Sequence, residues 1–262
     1  MDPRAGQLPE DGDLVDLDRL LDAYRDHEPS APVAFGTSGH RGTSLDGSFT
    51  DAHVAAISAA VCRYRTEQGI GGPLFLGRDT HALSAPASRT IVEVLVAHGT
   101  DVVVDADDGF TPTPVISHAI LGHNRGGGAG TADGIIVTPS HNPPGDGGFK
   151  YNPPHGGPAD TDVTGWIERV ANRLLEHGLD DVPRIRFDEA DVTRRDYVRA
   201  YVDDLPSVID IDAIRRAGIR LGADPLGGAS VAYWQAIRER HGLELEIVND
   251  AVDPTFRFVP LD

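Results

Sequence analysis

The sequence predicts an α/β protein: a three-layer α/β/α domain with a mixed, mainly parallel sheet, followed by the start of a second, similar domain. Short apolar segments typical of strands alternate with longer segments whose apolar residues repeat at helical spacing. Strands that alternate with helices imply a mainly parallel sheet with helices on both faces. The 262 residues also suffice to bury a substantial core.

The first predicted elements are a helix, a strand and a second helix. Thr50 is a typical N-cap residue, and Gly69 is a typical residue at a helix end. An apolar strand follows at residues 73–77. Ser84 is predicted to cap the second helix, which ends at Gly99.

The next elements continue the alternation. A strand at residues 102–104 precedes a Thr-Pro-Thr-Pro turn and a short helix that ends at Leu121. Residues 134–138 form another apolar strand, and helices at residues 163–177 and 192–205 complete the first unit.

A second unit begins after Pro206. A strand at residues 219–223, a helix and a strand at residues 245–248 predict a βαβ arrangement. About 55 residues are few for a self-sufficient domain, so we expect this unit to be incomplete and the chain to be the first part of a longer protein. The predicted division is an acidic N-terminal extension with a helix at residues 1–30, a first domain at 31–205 and an incomplete second domain at 206–262.

Composition excludes several classes of partner. The formal net charge of −18 argues against nucleic acid, because 41 acidic residues would repel phosphate backbones. No apolar run reaches the ~18 residues that a membrane helix needs, and residues 1–28 lack the features of a signal peptide. The single cysteine, Cys62, cannot form an internal disulfide, so a cytoplasmic location is expected. The oligomeric state is not predicted.

The basic residues are distributed unevenly between their two types. Lys150 is the only lysine among 23 basic residues. A lysine amine can release its proton near neutral pH when its surroundings lower its pKa, whereas arginine cannot. Lys150 is therefore a candidate for proton transfer, although a single lysine could also fall near the serine loop by chance.

The segment at residues 134–160 contains one serine, Ser140, among many prolines and glycines. Ser140 follows the end of a predicted strand, where ligands bind in open α/β sheets. The composition of residues 141–157 predicts a long loop, whose prolines are rigid and whose glycines let backbone N–H groups approach an anion. The composition favours a phosphate site, although Asn-Pro and Gly-Gly pairs are also ordinary turn formers.

Five motifs in order resemble the α-D-phosphohexomutases, specifically their bacterial phosphoglucomutase branch. The serine loop "TPSHNPPGDGGFKYNPPHGGPAD" is similar to the active-serine loop of that family. The other four motifs are "FGTSGHRG", "GRDTHALS", "FTPTPVIS" and "GADPLGGASVAYWQAI". The resemblance implies interconversion of glucose 1-phosphate and glucose 6-phosphate through a phosphoserine and a glucose 1,6-bisphosphate intermediate, an intramolecular phosphotransfer of the isomerase class.

The resemblance also implies roles for individual residues. Ser140 would carry the phosphoryl group and Lys150 would act as general base and acid on the sugar hydroxyl. Arg41 would stabilise charge on the transferring oxygens, and His141 would complete the catalytic set. The predicted residues that bind substrate or phosphate are Thr37, Ser38 and Asn142.

The resemblance implies Mg²⁺ as cofactor and glucose 1,6-bisphosphate as activator. Ser140, through its phosphate, is the metal ligand expected here, and the family's Asp-x-Asp-x-Asp-Arg loop is not found in the sequence. We therefore expect the 262-residue chain to be inactive alone. Two alternatives stay open: a non-catalytic fragment that binds partners or phosphosugars, or a mutase for another hexose phosphate such as mannose or glucosamine phosphate.

Overall fold

A computed structural model describes residues 3–36 and 39–261. The helices are α1 (Leu17–Asp26), α2 (Asp51–Gln68), α3 (Ser84–Ala97), α4 (Thr113–Arg125), α5 (Thr161–Glu176), α6 (Tyr197–Asp204), α7 (Ile211–Ala217) and α8 (Val231–His241). The strands are β1 (His40–Thr43), β2 (Leu74–Arg78), β3 (Val102–Asp105), β4 (Asp133–Val137), β5 (Asp146–Asn152), β6 (Thr193–Arg195), β7 (Leu221–Ala223) and β8 (Leu245–Ile247). No helix in these ranges is long and apolar enough to cross a bilayer.

The main sheet has six strands in the order β1-β5-β4-β2-β3-β6. Strands β4, β2, β3 and β6 are parallel, whereas β5 runs antiparallel to both β4 and β1. The sheet is therefore mixed and mainly parallel, which confirms the predicted fold class. Residues 206–262, the predicted second domain and called the second unit below, contain a two-stranded parallel sheet, β7-β8, joined through α8.

Helices cover both faces of the main sheet. On one face, α1, α2, α3 and α5 bury a large apolar cluster that includes Ile135 of β4. On the other face, α4, α6 and α8 bury a smaller cluster that includes Ile136. Successive residues of a strand face opposite sides, so β4 supplies both cores. Because Tyr233 of α8 lies in the second cluster, the second unit packs onto the first.

Helix α2 begins and ends where the sequence predicts. Thr50 is its N-cap and its backbone N–H donates to the His53 ring, 3.2 Å away. Gly69 at the other end has a left-handed φ of 67°. Helix α3 differs from the prediction, because Ser84 is its first residue and its hydroxyl donates to the Asp79 carboxylate, 2.6 Å away, instead of capping the helix.

Several predicted strands and helices differ from the observed ones in position or extent. Strand β5 occupies seven residues of the predicted long loop, and two glycines near its start hid the strand pattern in the sequence. Gly148 must lack a side chain, since a Cβ there would lie 2.3 Å from the Thr138 carbonyl oxygen.

Strand β6 replaces the start of the helix predicted at residues 192–205. Helix α4 extends to Arg125, four residues beyond the predicted end. The sequence patterns also missed β1 and α7.

Candidate active site

Ser140 lies at the carboxyl end of β4, three residues after the last strand residue, Val137. Its φ is +67°, in the left-handed region that residues other than glycine rarely adopt. The Ser140 backbone N–H donates to the Thr138 side-chain oxygen, 2.9 Å away, and so holds this turn. The turn leaves Ser140 exposed at the strand ends. Backbone strain of this kind clusters at functional sites.

Lys150 reaches the serine from the neighbouring strand. The segment from Thr138 to Gly145 joins β4 to β5, and Lys150 of β5 pairs with Ile136 of β4. The Lys150 Nζ donates to the Ser140 Oγ across 2.6 Å. A short antiparallel connection thus places the only lysine of the chain against the predicted nucleophile.

Arg41 reaches the serine from the edge of the sheet. It lies on β1 opposite Gly148 of β5, and its Nη2 donates to the Ser140 Oγ across 3.4 Å. Gly39 precedes this strand with a φ of +151°, and a Cβ there would lie 2.9 Å from the Lys150 Cγ. The glycine therefore allows the start of β1 to pass close to the lysine. Thr37 and Ser38 of the same motif lie outside the described residues.

The surroundings of Lys150 suit a group that exchanges protons. Its side chain is half-buried, and burial lowers the pKa of the amine. The nearby Arg41 guanidinium lowers this pKa further, and the Asp79 carboxylate partly opposes the shift. The net direction is downward, which brings the neutral amine closer to physiological pH.

The two residues after Ser140 have different environments. His141 is exposed, its ring makes no hydrogen bond within residues 3–36 and 39–261, and it lines the cavity beside Ser140. The Asn142 side chain donates to the Asp146 Oδ2 across 2.9 Å. The structure thus brings Ser140, Lys150 and Arg41 together, whereas Asn142 braces the loop by contacts away from the Ser140 hydroxyl.

Sequence reasoning missed two residues that support the serine loop. Asp79 follows the last residue of β2, and its Oδ2 lies 2.9 Å from the His81 Nδ1. The His81 Nε2 lies 3.1 Å from the backbone carbonyl oxygen of Asn142. The available signal was the Asp-Thr-His sequence of "GRDTHALS", directly after a predicted strand end.

A cavity of about 690 Å³ opens beside Ser140. The serine loop, His81 and Thr113 line one side, and Leu226 and Phe256 of the second unit line the other. This volume lies within the range of small-molecule sites, and a position at the carboxyl ends of parallel strands is typical of them.

These residues alone do not fit the Mg²⁺ site that the resemblance implies. In the described part of the chain, no group of three His, Cys, Asp or Glu side chains is arranged to hold a metal ion. Mg²⁺ prefers carboxylate and phosphate oxygens, whereas the Ser140 hydroxyl contacts two cationic side chains. A phosphate on Ser140 stays the ligand predicted from this chain.

Sequence comparison decides the family. The profile described as phosphoglucomutase/phosphomannomutase, alpha/beta/alpha domain I, matches residues 32–177. The chain belongs to the phosphoglucomutase/phosphomannomutase family. The matched residues include β1, β4 and β5, which carry Arg41, the serine loop and Lys150.

Two phosphoglucomutases align along most of the chain. A phosphoglucomutase of Komagataeibacter xylinus is 52% identical over 99% of this chain, which spans 48% of that relative. Phosphoglucomutase 1 of Saccharomyces cerevisiae is 28% identical over 82% of this chain, which spans 40% of that protein. The chain thus covers about half the length of the curated relatives that it matches, or less.

A solved structure of the family shares the fold. A protein of Thermus thermophilus that is assigned as a phosphomannomutase superposes with a TM-score of 0.73 and 29% identity. The superposition covers 88% of this chain and 49% of the other.

Proposed function

We propose that this chain carries the phosphoserine part of a phosphoglucomutase, which interconverts glucose 1-phosphate and glucose 6-phosphate through glucose 1,6-bisphosphate. The observation that carries the proposal is the contact of the strained, exposed Ser140 hydroxyl with Lys150 and Arg41, 2.6 and 3.4 Å away. Family membership and the 52% identity to a phosphoglucomutase support this reaction over others.

In the proposed reaction, phosphoserine donates its phosphoryl group to the free hydroxyl of a hexose monophosphate. The bond between the Ser140 Oγ and phosphorus breaks, a bond between the sugar oxygen and phosphorus forms, and Lys150 accepts the sugar hydroxyl proton. The bisphosphorylated sugar then turns over and returns its other phosphoryl group to Ser140. A covalent intermediate divides one difficult transfer into two easier ones.

Each of the three side chains has a distinct task. Lys150 needs a lowered pKa to accept a proton near neutral pH, in agreement with its burial and its proximity to Arg41. Arg41 keeps its charge and stabilises the oxygens of the transferring group. The left-handed turn at Ser140 presents the hydroxyl to the cavity. His141, Thr37, Ser38 and Asn142 are proposed to bind the phosphate or the substrate.

Mg²⁺ and glucose 1,6-bisphosphate complete the proposal as cofactor and activator. The activator would supply the phosphoryl group that first charges Ser140. A cytoplasmic location fits the single cysteine, Cys62, which is a buried free thiol. The partner is a hexose phosphate, held by local cations in spite of the net charge of −18.

The test is phosphoryl uptake by the purified chain from glucose 1,6-bisphosphate, measured by intact-mass spectrometry and peptide mapping. We expect one phosphoryl group per chain on Ser140 and none in Ser140→Ala. A coupled assay with glucose 1-phosphate, Mg²⁺ and catalytic bisphosphate then measures turnover, which we expect to be absent from the 262-residue chain alone. Phosphoryl uptake or turnover that persists in Ser140→Ala would contradict the mechanism.

Mannose phosphate is a second candidate substrate. The family description names phosphomannomutases, and the similar Thermus thermophilus structure is assigned as one. Phosphoryl transfer from the charged serine to mannose 1-phosphate and to glucose 1-phosphate, compared at equal concentrations, distinguishes the two. A higher rate with mannose 1-phosphate would favour the second candidate.

A further inference from the structure

The imidazole ring of His81 lies between two hydrogen-bond acceptors. Its Nδ1 is 2.9 Å from the Asp79 Oδ2, and its Nε2 is 3.1 Å from the backbone carbonyl oxygen of Asn142. The other carboxylate oxygen of Asp79 accepts the His81 backbone N–H, 3.0 Å away, and the Ser84 hydroxyl, 2.6 Å away. Asp79 thus acts as an acceptor toward three groups.

This arrangement determines the charge of the ring. A neutral imidazole carries one N–H and can donate from one nitrogen only. A backbone carbonyl can only accept, so both contacts are hydrogen bonds only when both ring nitrogens carry a proton. We infer that His81 is an imidazolium that ties the serine loop to the turn after β2, and that it is a positioning residue for Ser140. Its effect on phosphoryl transfer rests on the proposed function.

The groups around His81 support the charged form. Burial acts to lower the pKa of His81, but the hydrogen bond and charge of Asp79, the Asn142 carbonyl and the Asp146 carboxylate of β5 raise it, and the net direction is upward. The Phe256 ring of the second unit lies 4.7 Å from the His81 ring, centroid to centroid. Asp13 also lines the cavity, but its carboxylate is paired with the Arg4 guanidinium.

The bridge fixes the serine loop at a defined point. Asn142 lies two residues after Ser140, its carbonyl accepts from His81, and its side chain donates to Asp146. Loss of the His81 proton removes one of the two ring hydrogen bonds. Because Asp79 also binds the first residue of α3, Ser84, the bridge anchors the Pro- and Gly-rich loop to a helix and to the end of a central strand.

The first test is nitrogen NMR of the uniformly ¹⁵N-labelled 262-residue chain, with His81 assigned by its loss in His81→Gln. We expect both ring nitrogens of His81 to be protonated at pH 7. In Asp79→Asn, which keeps the size of the side chain but removes the carboxylate, we expect His81 to be neutral at the same pH. A single protonated ring nitrogen in the wild type at pH 7 would overturn the inference, and so would an unchanged titration in Asp79→Asn.

The second test is hydrogen exchange of the backbone amides at residues 140–142 and 145–146. We expect about a tenfold faster exchange in His81→Gln, since a charge-assisted hydrogen bond is lost. His81→Arg retains two donor nitrogens and a permanent charge, and should exchange at the wild-type rate. Equal exchange in wild type and His81→Gln would contradict a positioning role. If His81→Gln does not fold, His81→Arg and the NMR comparison with Asp79→Asn still decide the inference.

Activity separates this inference from the proposed function. If Ser140 accepts a phosphoryl group, the rate of phosphoryl uptake by the wild type should fall as His81 loses its proton at alkaline pH. In His81→Arg, which keeps its charge, the rate should not fall in this way. A chain that takes up no phosphoryl group but gives the expected NMR and exchange results would contradict the proposed function and leave the His81 bridge intact.

Discussion

Near each end of β4, an arginine and a residue of β5 contact a polar side chain, which is buried at one end and exposed at the other. At the amino end, the fully buried Asp133 accepts hydrogen bonds from Arg65 and from the Tyr151 hydroxyl, which is 2.7 Å away. At the carboxyl end, the exposed Ser140 contacts Arg41 and Lys150. Both ends combine an arginine with a residue of β5, but Asp133 is fully buried whereas Ser140 lines an open cavity. The amino end is therefore called the closed end below, and the carboxyl end the open end.

Two neighbouring residues of β5 therefore have different tasks: Tyr151 contributes to stability, and Lys150 to the proposed chemistry. Tyr151 and Lys150 are neighbours on β5, so their side chains point to opposite faces. Burial and the Asp133 carboxylate raise the pKa of Tyr151, so its hydroxyl stays a hydrogen-bond donor. Burial and Arg41 lower the pKa of Lys150. The closed end has its buried polar atoms paired, and the open end keeps a proton that can be exchanged.

The largest expected effect is functional and concerns the open end. Ser140→Ala should reduce phosphoryl uptake from glucose 1,6-bisphosphate by at least about 1,000-fold, since the group that carries the phosphoryl is gone. The exposed side chain contributes little packing, so the free energy of unfolding should stay within about 0.5 kcal/mol of wild type. Intact-mass spectrometry and urea unfolding measure the two quantities. A large loss of stability in this variant would contradict the separation of the two ends.

The matched change at the closed end should reverse this pattern. Arg65→Met leaves the Asp133 carboxylate buried without its cation and should lower the free energy of unfolding by about 3–5 kcal/mol. Phosphoryl uptake per folded chain should stay near the wild-type value. Urea unfolding measures the loss, and normalised uptake is the control. A variant that is as stable as wild type would show that the Arg65–Asp133 pair is not the source of stability at this end.

Acid should weaken the fold beneath the open end. His40 precedes Arg41 on β1, is buried against Phe49 and His53, and its pKa is lowered to about 4, chiefly by burial and further by the charge of His53. The unfolded chain binds this proton near pH 6.5, so the stability contributed by His40 is full above pH 6.5 and is lost as the pH drops toward 4, by about 3 kcal/mol. Urea unfolding across this range measures the slope.

His40→Asn is the control for this acid effect. The substitution removes the titrating ring, so the loss of stability between pH 6.5 and 4 should shrink by about the His40 contribution. Burial lowers the pKa of His53 and raises that of Asp133 to about 6, and these two groups contribute with opposite signs to the slope that remains. The same slope in His40→Asn and in wild type would assign the acid sensitivity to other groups.

The proton-exchange role of Lys150 gives the next effect. Lys150→Arg keeps the positive charge but cannot release a proton, so phosphoryl transfer to a sugar should fall by about 100-fold. Because the amine must be neutral to accept a proton, the wild-type rate should rise with pH as Lys150 deprotonates, whereas the Lys150→Arg rate should not. Quenched-flow transfer from the phosphorylated chain at several pH values measures both. A rate for Lys150→Arg that rises in parallel with wild type would exclude Lys150 as the base.

The smallest effect concerns the backbone at Ser140. Ser140→Gly and Ser140→Ala both lack the hydroxyl, but only glycine adopts the left-handed φ of +67° at little cost. Ser140→Gly should therefore be more stable than Ser140→Ala by about 1 kcal/mol in urea unfolding. Equal stability of the pair would indicate that the turn is not strained.

The sequence alone determined the fold class and the family, and it supplied the candidate residues for the proposed chemistry. Alternation of strand-like and helix-like segments depends on local periodicity, which the chain itself carries. Ser140 and Lys150 were identified because one serine and the only lysine lie in a loop of distinctive composition, and Arg41 because its motif resembles the family. Each of these signals is local in the sequence or resides in an ordered set of motifs.

Only the tertiary structure decided how these residues meet. Strand β1 is short and polar, and β5 contains two glycines, so neither has a strand pattern, and both form because they pair with each other and with β4. The contact of His81 with Asn142 joins residues 61 positions apart, and no local pattern encodes such a distance. Local periodicity specifies elements, whereas the charge and geometry at Ser140 arise from long-range pairing and burial.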